Sequence, residues 1–285
     1  LGKVEDKHEI MAALAKIKNN DDAIFDLTIS RSDLTNSGLP AQRNFTLVML
    51  AKILENNSTL RSLALDCCCV DKVGMQAFCR VIEGNRAITS IYLTGMSVTA
   101  EKLETLKIFF EMLKNNKNIT SIFLTASSIM DEGVKALAEA LQINKNILSI
   151  DLQHNQITEE GANILLQALL LSPNILNINL EVKNDISKEL KNKIYQLIKT
   201  TQLYHFRRLP EDWQKKILDD IFHSATPVGI GFFGCTIQEW QQRPPEVRFE
   251  RLHFRVCNFI MEKVRELEKN DLSSEPLPSV ASFNN

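Results

Sequence analysis

The stretch Ile147-Leu148-Ser149-Ile150-Asp151-Leu152-Gln153-His154-Asn155-Gln156-Ile157 decides how the chain reads. Apolar residues stand at its first, fourth, sixth and eleventh positions, with Asn155 at the ninth. Ile150 and Leu152 alternate with Ser149, Asp151 and Gln153, which predicts a short strand that buries one face and shows the other. Asn155 is expected to turn the chain by bonding its amide to nearby backbone groups. One such unit cannot bury its own apolar face, so copies are expected on both sides.

Five more copies are present. They begin at Ile24 (with Leu27, Ile29 and Leu34), Leu60 (Leu63, Leu65, Val70), Ile88 (Ile91, Leu93, Val98), Ile119 (Ile122, Leu124, Ile129) and Ile175 (Ile178, Leu180). The six starts are 36, 28, 31, 28 and 28 residues apart, long enough for a helix in every repeat. Val134, Leu137, Ala138 and Leu141 recur at helical spacing, and Ile164, Leu165, Ala168 and Leu169 do the same behind the cap Thr158 and the acids Glu159 and Glu160. Similar logic predicts helices near 41–55, 72–83, 100–114 and 187–199. Asn56, Asn57, Asn115, Asn116, Asn144 and Asn146 gather where these helices should end, and a left-handed closing conformation is expected there. Asn19 and Asn20 follow Glu9–Lys18, which reads as an N-terminal half-repeat covering the end of the stack.

With these motifs on the page, roughly residues 8–200 resemble the ribonuclease-inhibitor-like leucine-rich repeat family. The resemblance rests on Leu60-Arg61-Ser62-Leu63-Ala64-Leu65 and on Gly133-Val134-x-Ala136-Leu137-Ala138-x-Ala140-Leu141. It implies an α/β solenoid, a horseshoe with parallel strands on its concave side, that binds a protein. The pattern departs locally: Ser32, Cys68, Met96 and Ser127 replace Asn at the turn, so looser turns are expected there. The repeat phase reads as lost after Leu180.

Aligning the repeats turns strand positions into columns. The third position reads Asp26, Ser62, Ser90, Ser121, Ser149, Asn177, small enough to serve strand packing rather than binding. The fifth reads Thr28, Ala64, Tyr92, Phe123, Asp151, Asn179, and the seventh Ser30, Asp66, Thr94, Thr125, Gln153, Glu181. The eighth, at the edge, reads Arg31, Cys67, Gly95, Ala126, His154, Val182. Tyr92 and Phe123 are expected to face out side by side, among small residues and between acids. An aromatic centre with a polar rim is how binding hot spots are built. The expected partner surface is therefore Asp66, Tyr92, Thr94, Phe123, Thr125, Asp151, Gln153, His154, Asn179 and Glu181, facing a protein with a basic patch, an enzyme in the inhibitor-type reading. The competing reading is that the two rings merely cover each other.

Bulk composition fits. The net charge of −2 over 285 residues gives no case for nucleic acid or anionic membrane. No apolar run approaches a membrane span, and no signal peptide is visible at the start. The cysteines Cys67, Cys68, Cys69, Cys79, Cys235 and Cys257 form neither a disulfide framework nor a zinc pattern. They read as reduced, largely packed thiols in a cytosolic setting. No cofactor, metal or small-molecule substrate is expected.

The last hundred residues read as a helical C-terminal cap over 201–269 and a flexible tail over 270–285, following the repeat domain at 1–200. Pro210 opens a helix bearing Trp213, Ile217, Leu218, Ile221 and Phe222, and Phe249, Leu252, Val256, Ile260, Val264 and Leu267 form the stripe of another. The Gly-rich run 226–235 lacks phosphate-loop spacing. Leu209-Pro210 before Ile217-Leu218 is similar to the start of an F-box, which implies an alternative role as a ubiquitin-ligase adaptor through 209–222. Catalysis is not expected: neither Cys235 nor Cys257 stands in the Cys-x-Asp pattern of bacterial repeat-linked ligases, and His205, His223 and His253 are scattered. The polar tail, with Glu262, Glu266, Glu268 and Glu275 before Phe283, resembles the translocation signals of effectors from intracellular bacteria of the Legionella type. That implies secretion into a host cytoplasm and a role in virulence.

Overall fold

The computed structural model describes residues 7–21, 24–30, 40–66, 70–95, 100–207 and 210. Helices and strands alternate: α1 Lys7–Lys18, β1 Asp26–Ser30, α2 Pro40–Leu54, β2 Ser62–Asp66, α3 Lys72–Gly84, β3 Ser90–Thr94, α4 Ala100–Asn115 and β4 Ser121–Phe123. After these come α5 Met130–Ile143, β5 Ser149–Asp151, α6 Glu159–Leu170, β6 Asn177–Asn179 and α7 Lys188–Arg207. The strands form one six-stranded sheet in chain order. The pairing from β1 to β5 is parallel, and its register sets Asp26, Ser62, Ser90, Ser121 and Ser149 side by side.

This register follows from the alternation. The fourth and sixth positions are buried in all six repeats, from Leu27 and Ile29 to Ile178 and Leu180. Their neighbours along β2 and β3 remain half-exposed. A parallel sheet usually needs cover on both faces. Here the consecutive helices α2 to α6 pack on one another in sequence and carry their own buried residues, among them Met75 and Phe78, Phe109 and Phe110, Val134 and Leu137, and Leu165. The other face of the sheet carries the polar, half-exposed side chains that alternate with the core positions.

Two files of side chains tie each repeat to the one before. The first contains the asparagines at the helix ends. Asn57 donates Nδ2 to Ile17 O at 2.7 Å, Asn85 to Asn57 O at 2.9 Å, and Asn116 to Ile82 O at 3.0 Å. Asn144 donates to both Leu113 O and Asn116 O. Each Oδ1 then accepts backbone N–H groups two or three residues ahead, as Asn116 does from Asn118 N and Ile119 N at 2.9 and 2.8 Å. In the last repeat Ser172 stands in, its hydroxyl donating to Leu141 O at 2.8 Å. The expected left-handed closure is therefore corrected for most of these residues. Asn85 and Asn144 are extended, with φ of −74° and −78°, and only Asn20, at 55°, is left-handed among the asparagines named above. The extended backbone at Asn85 and Asn144 accompanies amides that reach the preceding repeat. Ile17 O, at the end of α1, is the first acceptor of this file, and α1 packs against α2.

The second file lies beyond the strands. Asn155 donates Nδ2 to Leu124 O at 2.8 Å and accepts Ser127 N at 3.0 Å. Ser127 is fully buried and its hydroxyl donates to Leu93 O at 2.6 Å, so the turn expected to be loose is held. Asn184 repeats the role of Asn155: its Nδ2 donates to Leu152 O at 2.9 Å and its Oδ1 accepts Asn155 N at 3.1 Å. The phase is thus shifted by one residue after Leu180 rather than lost, and Ile186 takes the buried place of Ile157. The extra residue is absorbed by Val182 and Lys183, left-handed at φ 57° and 52°. The eighth position is left-handed in every repeat described there: Gly95, Ala126, His154 and Val182. The N–H groups of Gly95, Ala126 and His154 turn to the next repeat, as Ala126 N does to Gln153 O at 2.9 Å. Only glycine takes that conformation freely, and a β-branched Val182 is strained in it.

The predicted helices are present with small shifts, and α7 alone extends well past its predicted end. Thr200 and Thr201 there donate their hydroxyls to Gln196 O and Leu197 O at 2.9 and 3.0 Å, which keeps the polar pair inside the helix. Two compact units divide the chain, one of residues 1–174 with 178–192 and one of 175–177 with 193–285. No described helix is long and apolar enough to cross a membrane. The helices predicted after Pro210, the Gly-rich run, the F-box-like stretch, the tail, the turn residues Ser32, Cys68 and Met96, and every cysteine but Cys79 lie outside the described residues.

Candidate functional site on the open face of the sheet

The fifth position of each strand points away from the core, and register sets Thr28, Ala64, Tyr92, Phe123 and Asp151 in one row. Tyr92 and Phe123 stand on adjacent strands with ring centroids 4.0 Å apart and planes within 3°. They are stacked face to face and half-buried. The rings cover one another on one face. Burial raises the Tyr92 phenol above its ordinary pKa, and the Asp26 carboxylate adds to the rise.

Asp151 is next in the row, and its carboxylate is anchored. Oδ1 accepts Thr125 Oγ1 and Gln153 N, each at 3.0 Å, and Oδ2 accepts Asn179 Nδ2 at 3.0 Å. Asn179 in turn accepts Glu181 N at 3.2 Å. Thr125, Asp151, Gln153, Asn179 and Glu181 thus form one connected group beside Phe123. Gln153 enters it through its backbone, which also supports Asn155 at 3.0 Å. His154, left-handed, stands at the rim with its N–H on Val182 O at 2.9 Å. On the other side of the rings, Asp66 and Thr94 end their strands opposite each other. Asp66, Tyr92, Thr94, Phe123, Asp151 and Asn179 lie in the strands, Thr125, Gln153 and Glu181 follow at the seventh position, and His154 stands in the turn.

The third position also differs from expectation in one respect. Ser121 and Ser149 are buried, as a packing role requires. Asp26, in the same column, is exposed and acts on Tyr92, so this position is not only structural. Its signal in the sequence was the one charged residue in a serine column. Thr28 and Ala64 complete the row on the far side of Tyr92, and sequence reasoning gave neither a role.

Among the described residues no group of three His, Cys, Asp or Glu side chains could hold a metal ion. Cys79 is buried in α3, where desolvation and then the Glu83 carboxylate push its thiol up to about 12. It packs as a small hydrophobe and is a poor nucleophile.

Comparison with known proteins bears on the fold. A family model described as Leucine Rich repeat matches residues 56–79 and 144–163, the second including the whole of the opening stretch. No curated protein matches the chain. Among solved structures it is similar to leiomodin-1 actin-binding site 2, at 15% identity and a TM-score of 0.39, over 79% of this chain and 99% of that one. It is also similar to the tropomodulin C-terminal domain of Caenorhabditis elegans, at 10% identity and a TM-score of 0.36, over 68% of this chain and 93% of that one. Likeness at these scores carries neither function nor partner across. The matched repeats, the six in-register strands and the two files of ladder side chains agree on the architecture: the described chain is an α/β leucine-rich repeat solenoid.

Proposed function

We propose that the chain is a non-catalytic module that grips a protein partner on the open face of its sheet. The observation that carries this is the stacked pair Tyr92–Phe123 at the middle of a row, with an anchored carboxylate group on one side and Asp66 and Asp26 on the other. A flat aromatic centre ringed by polar groups concentrates binding energy, and truncating such an anchor typically costs on the order of 2 kcal/mol. The acids favour a partner with a basic patch and quicken its encounter. Within this reading the module inhibits or regulates a partner enzyme. The polar tail, with Glu262, Glu266, Glu268 and Glu275 before Phe283, supports delivery by a bacterium into the cytosol of a host cell.

The test has two stages. Affinity purification from expressing cells, with mass spectrometry, identifies the partner. Calorimetry then compares the natural chain with the double variant Tyr92→Ala, Phe123→Ala, its folding checked by circular dichroism. A loss of about thirtyfold or more in affinity is expected for a hot-spot pair. Unchanged affinity in a folded variant defeats the proposal. Recovery of ubiquitin-ligase scaffold components, lost on deleting 209–222, would favour the adaptor role instead.

A further inference from the structure

The row of fifth positions specifies one contact more narrowly. Phe123 covers one face of Tyr92 at 4.0 Å. The opposite face looks along the row across Ala64 towards Thr28. Ala64 offers only a methyl group, so no side chain of β2 fills the space beside that ring. Strands are about 4.8 Å apart, which puts Thr28 roughly two spacings from Tyr92. Among the described side chains, that leaves a slot over Ala64 wide enough for a flat group to stack on the ring.

Carboxylates bracket the slot. Asp66 lies two residues beyond Ala64 on the same face of the same strand, and Asp26 lies two residues before Thr28. Asp26 is near enough to act on the Tyr92 phenol. Across the third, fifth and seventh positions the described strands and their ends carry Asp26, Asp66, Asp151 and Glu181, and neither Lys nor Arg. A phosphate would be repelled here. A neutral aromatic group would fit the slot but strip water from the carboxylates without replacing it. An ammonium group would meet the charge but not the flat shape. A guanidinium meets both, because it is planar, permanently cationic and weakly hydrated, and it stacks on aromatic faces.

We infer that the slot over Ala64 receives an arginine side chain of the protein partner, its guanidinium stacked on the outer face of Tyr92 between Asp26 and Asp66. This rests on the open face being the partner surface and adds which side chain is read there, and where.

The test uses the full 285-residue chain and three model peptides of alternating glycine and a test residue: arginine, lysine or citrulline. Titration calorimetry is expected to show the arginine peptide binding about tenfold more tightly than the lysine peptide, with no binding of the citrulline peptide. Ala64→Leu, which fills the slot at a half-exposed position, should bring the arginine peptide down to the lysine level. Asp26→Asn with Asp66→Asn should weaken both cationic peptides, and serves as the second variant if Ala64→Leu does not fold. Equal binding of arginine and lysine, absence of arginine binding, or indifference of arginine binding to both variants overturns the inference. The cellular partner separates the two failures. Binding kept by Ala64→Leu but lost by the Tyr92→Ala, Phe123→Ala pair removes the arginine slot and leaves the partner surface standing. Binding kept by both removes the surface as well.

Discussion

Replacing Asn144 by Ala removes four hydrogen bonds at one buried point. Its Nδ2 serves Leu113 O and Asn116 O, and its Oδ1 receives Asn146 N at 2.7 Å and Ile147 N at 3.2 Å. The side chain is only 2% exposed, so water does not reach these groups in the native fold. A net hydrogen bond contributes about 1 kcal/mol, and a buried group left unpaired costs about 1–3 kcal/mol. Counting the four bonds at the lower figure, and allowing some to be regained by a water in the vacated space, gives a loss of about 3 kcal/mol. In a domain of this size that lowers the melting temperature by roughly 10 °C. Urea unfolding followed by far-ultraviolet circular dichroism measures it. Asn144→Ser should lose less, because Ser172 fills the matching place with a hydroxyl that bonds Leu141 O at 2.8 Å. Asn163→Ala is the control. That exposed side chain makes a bond to Glu159 O at 2.8 Å within its own helix, and its removal should stay within about 0.5 kcal/mol. If Asn144→Ala and Asn163→Ala lose the same small amount, the ladder does not hold the repeats together and the reasoning fails.

Gly161→Ala should destabilise by about 1–3 kcal/mol, because the new Cβ would lie 2.1 Å from Asp131 Oδ1 and 2.9 Å from Ile157 Cγ2. Gly84→Ala meets nothing within 4 Å and should be neutral or gain up to about 1 kcal/mol, so the same melts test the packing argument in both directions. Val182→Gly should stabilise the chain by about 1 kcal/mol through relief of a left-handed valine, and a loss on denaturation would refute the strain. In alkaline ultraviolet titration, the signal lost on Tyr92→Phe should report ionisation above the ordinary phenol range. An unfolded chain ionises Tyr92 first, so the stability it contributes is full below pH 10 or so and declines as pH rises from there towards the folded value. Cys79 should resist a thiol reagent at pH 8 in the folded chain and react on unfolding, and prompt labelling would contradict its burial.

The strands were legible because their signal is local. Two apolar residues a position apart, as in Leu63 and Leu65 or Ile150 and Leu152, define a face, and the recurring offset aligns the columns that the sheet pairs. The ladder was only half legible. Asn57, Asn85, Asn116 and Asn144 share a place in their repeats, yet their acceptors lie a whole repeat away, and a local rule assigns such residues to their own helix ends. Asn184 was hidden by a single extra residue, which breaks a fixed count although two left-handed residues absorb it without disturbing the pairing. On the open face, Tyr92 and Phe123 stood out by type. The anchoring of Asp151 by Thr125 and Asn179 needed three strands in register, and the effect of Asp26 on Tyr92 spans β1 to β3, which the spacing within one repeat does not record.

The helix-end ladder has a direction. Every amide named hands its hydrogens backwards, to carbonyls of the repeat before it, and takes hydrogens only from residues just ahead of itself. Each repeat therefore finishes the one that precedes it. Deleting residues 147–174 leaves Asn144 and its bonds to Leu113 O and Asn116 O in place, whereas deleting 143–170 puts Ser172 where Asn144 stood, and a hydroxyl with one hydrogen serves only one of the two carbonyls. The boundary at which this array can be shortened, duplicated or pulled apart one unit at a time is therefore set by the asparagine and not by the strand. Repeats counted from asparagine to asparagine are the exchangeable parts of this chain.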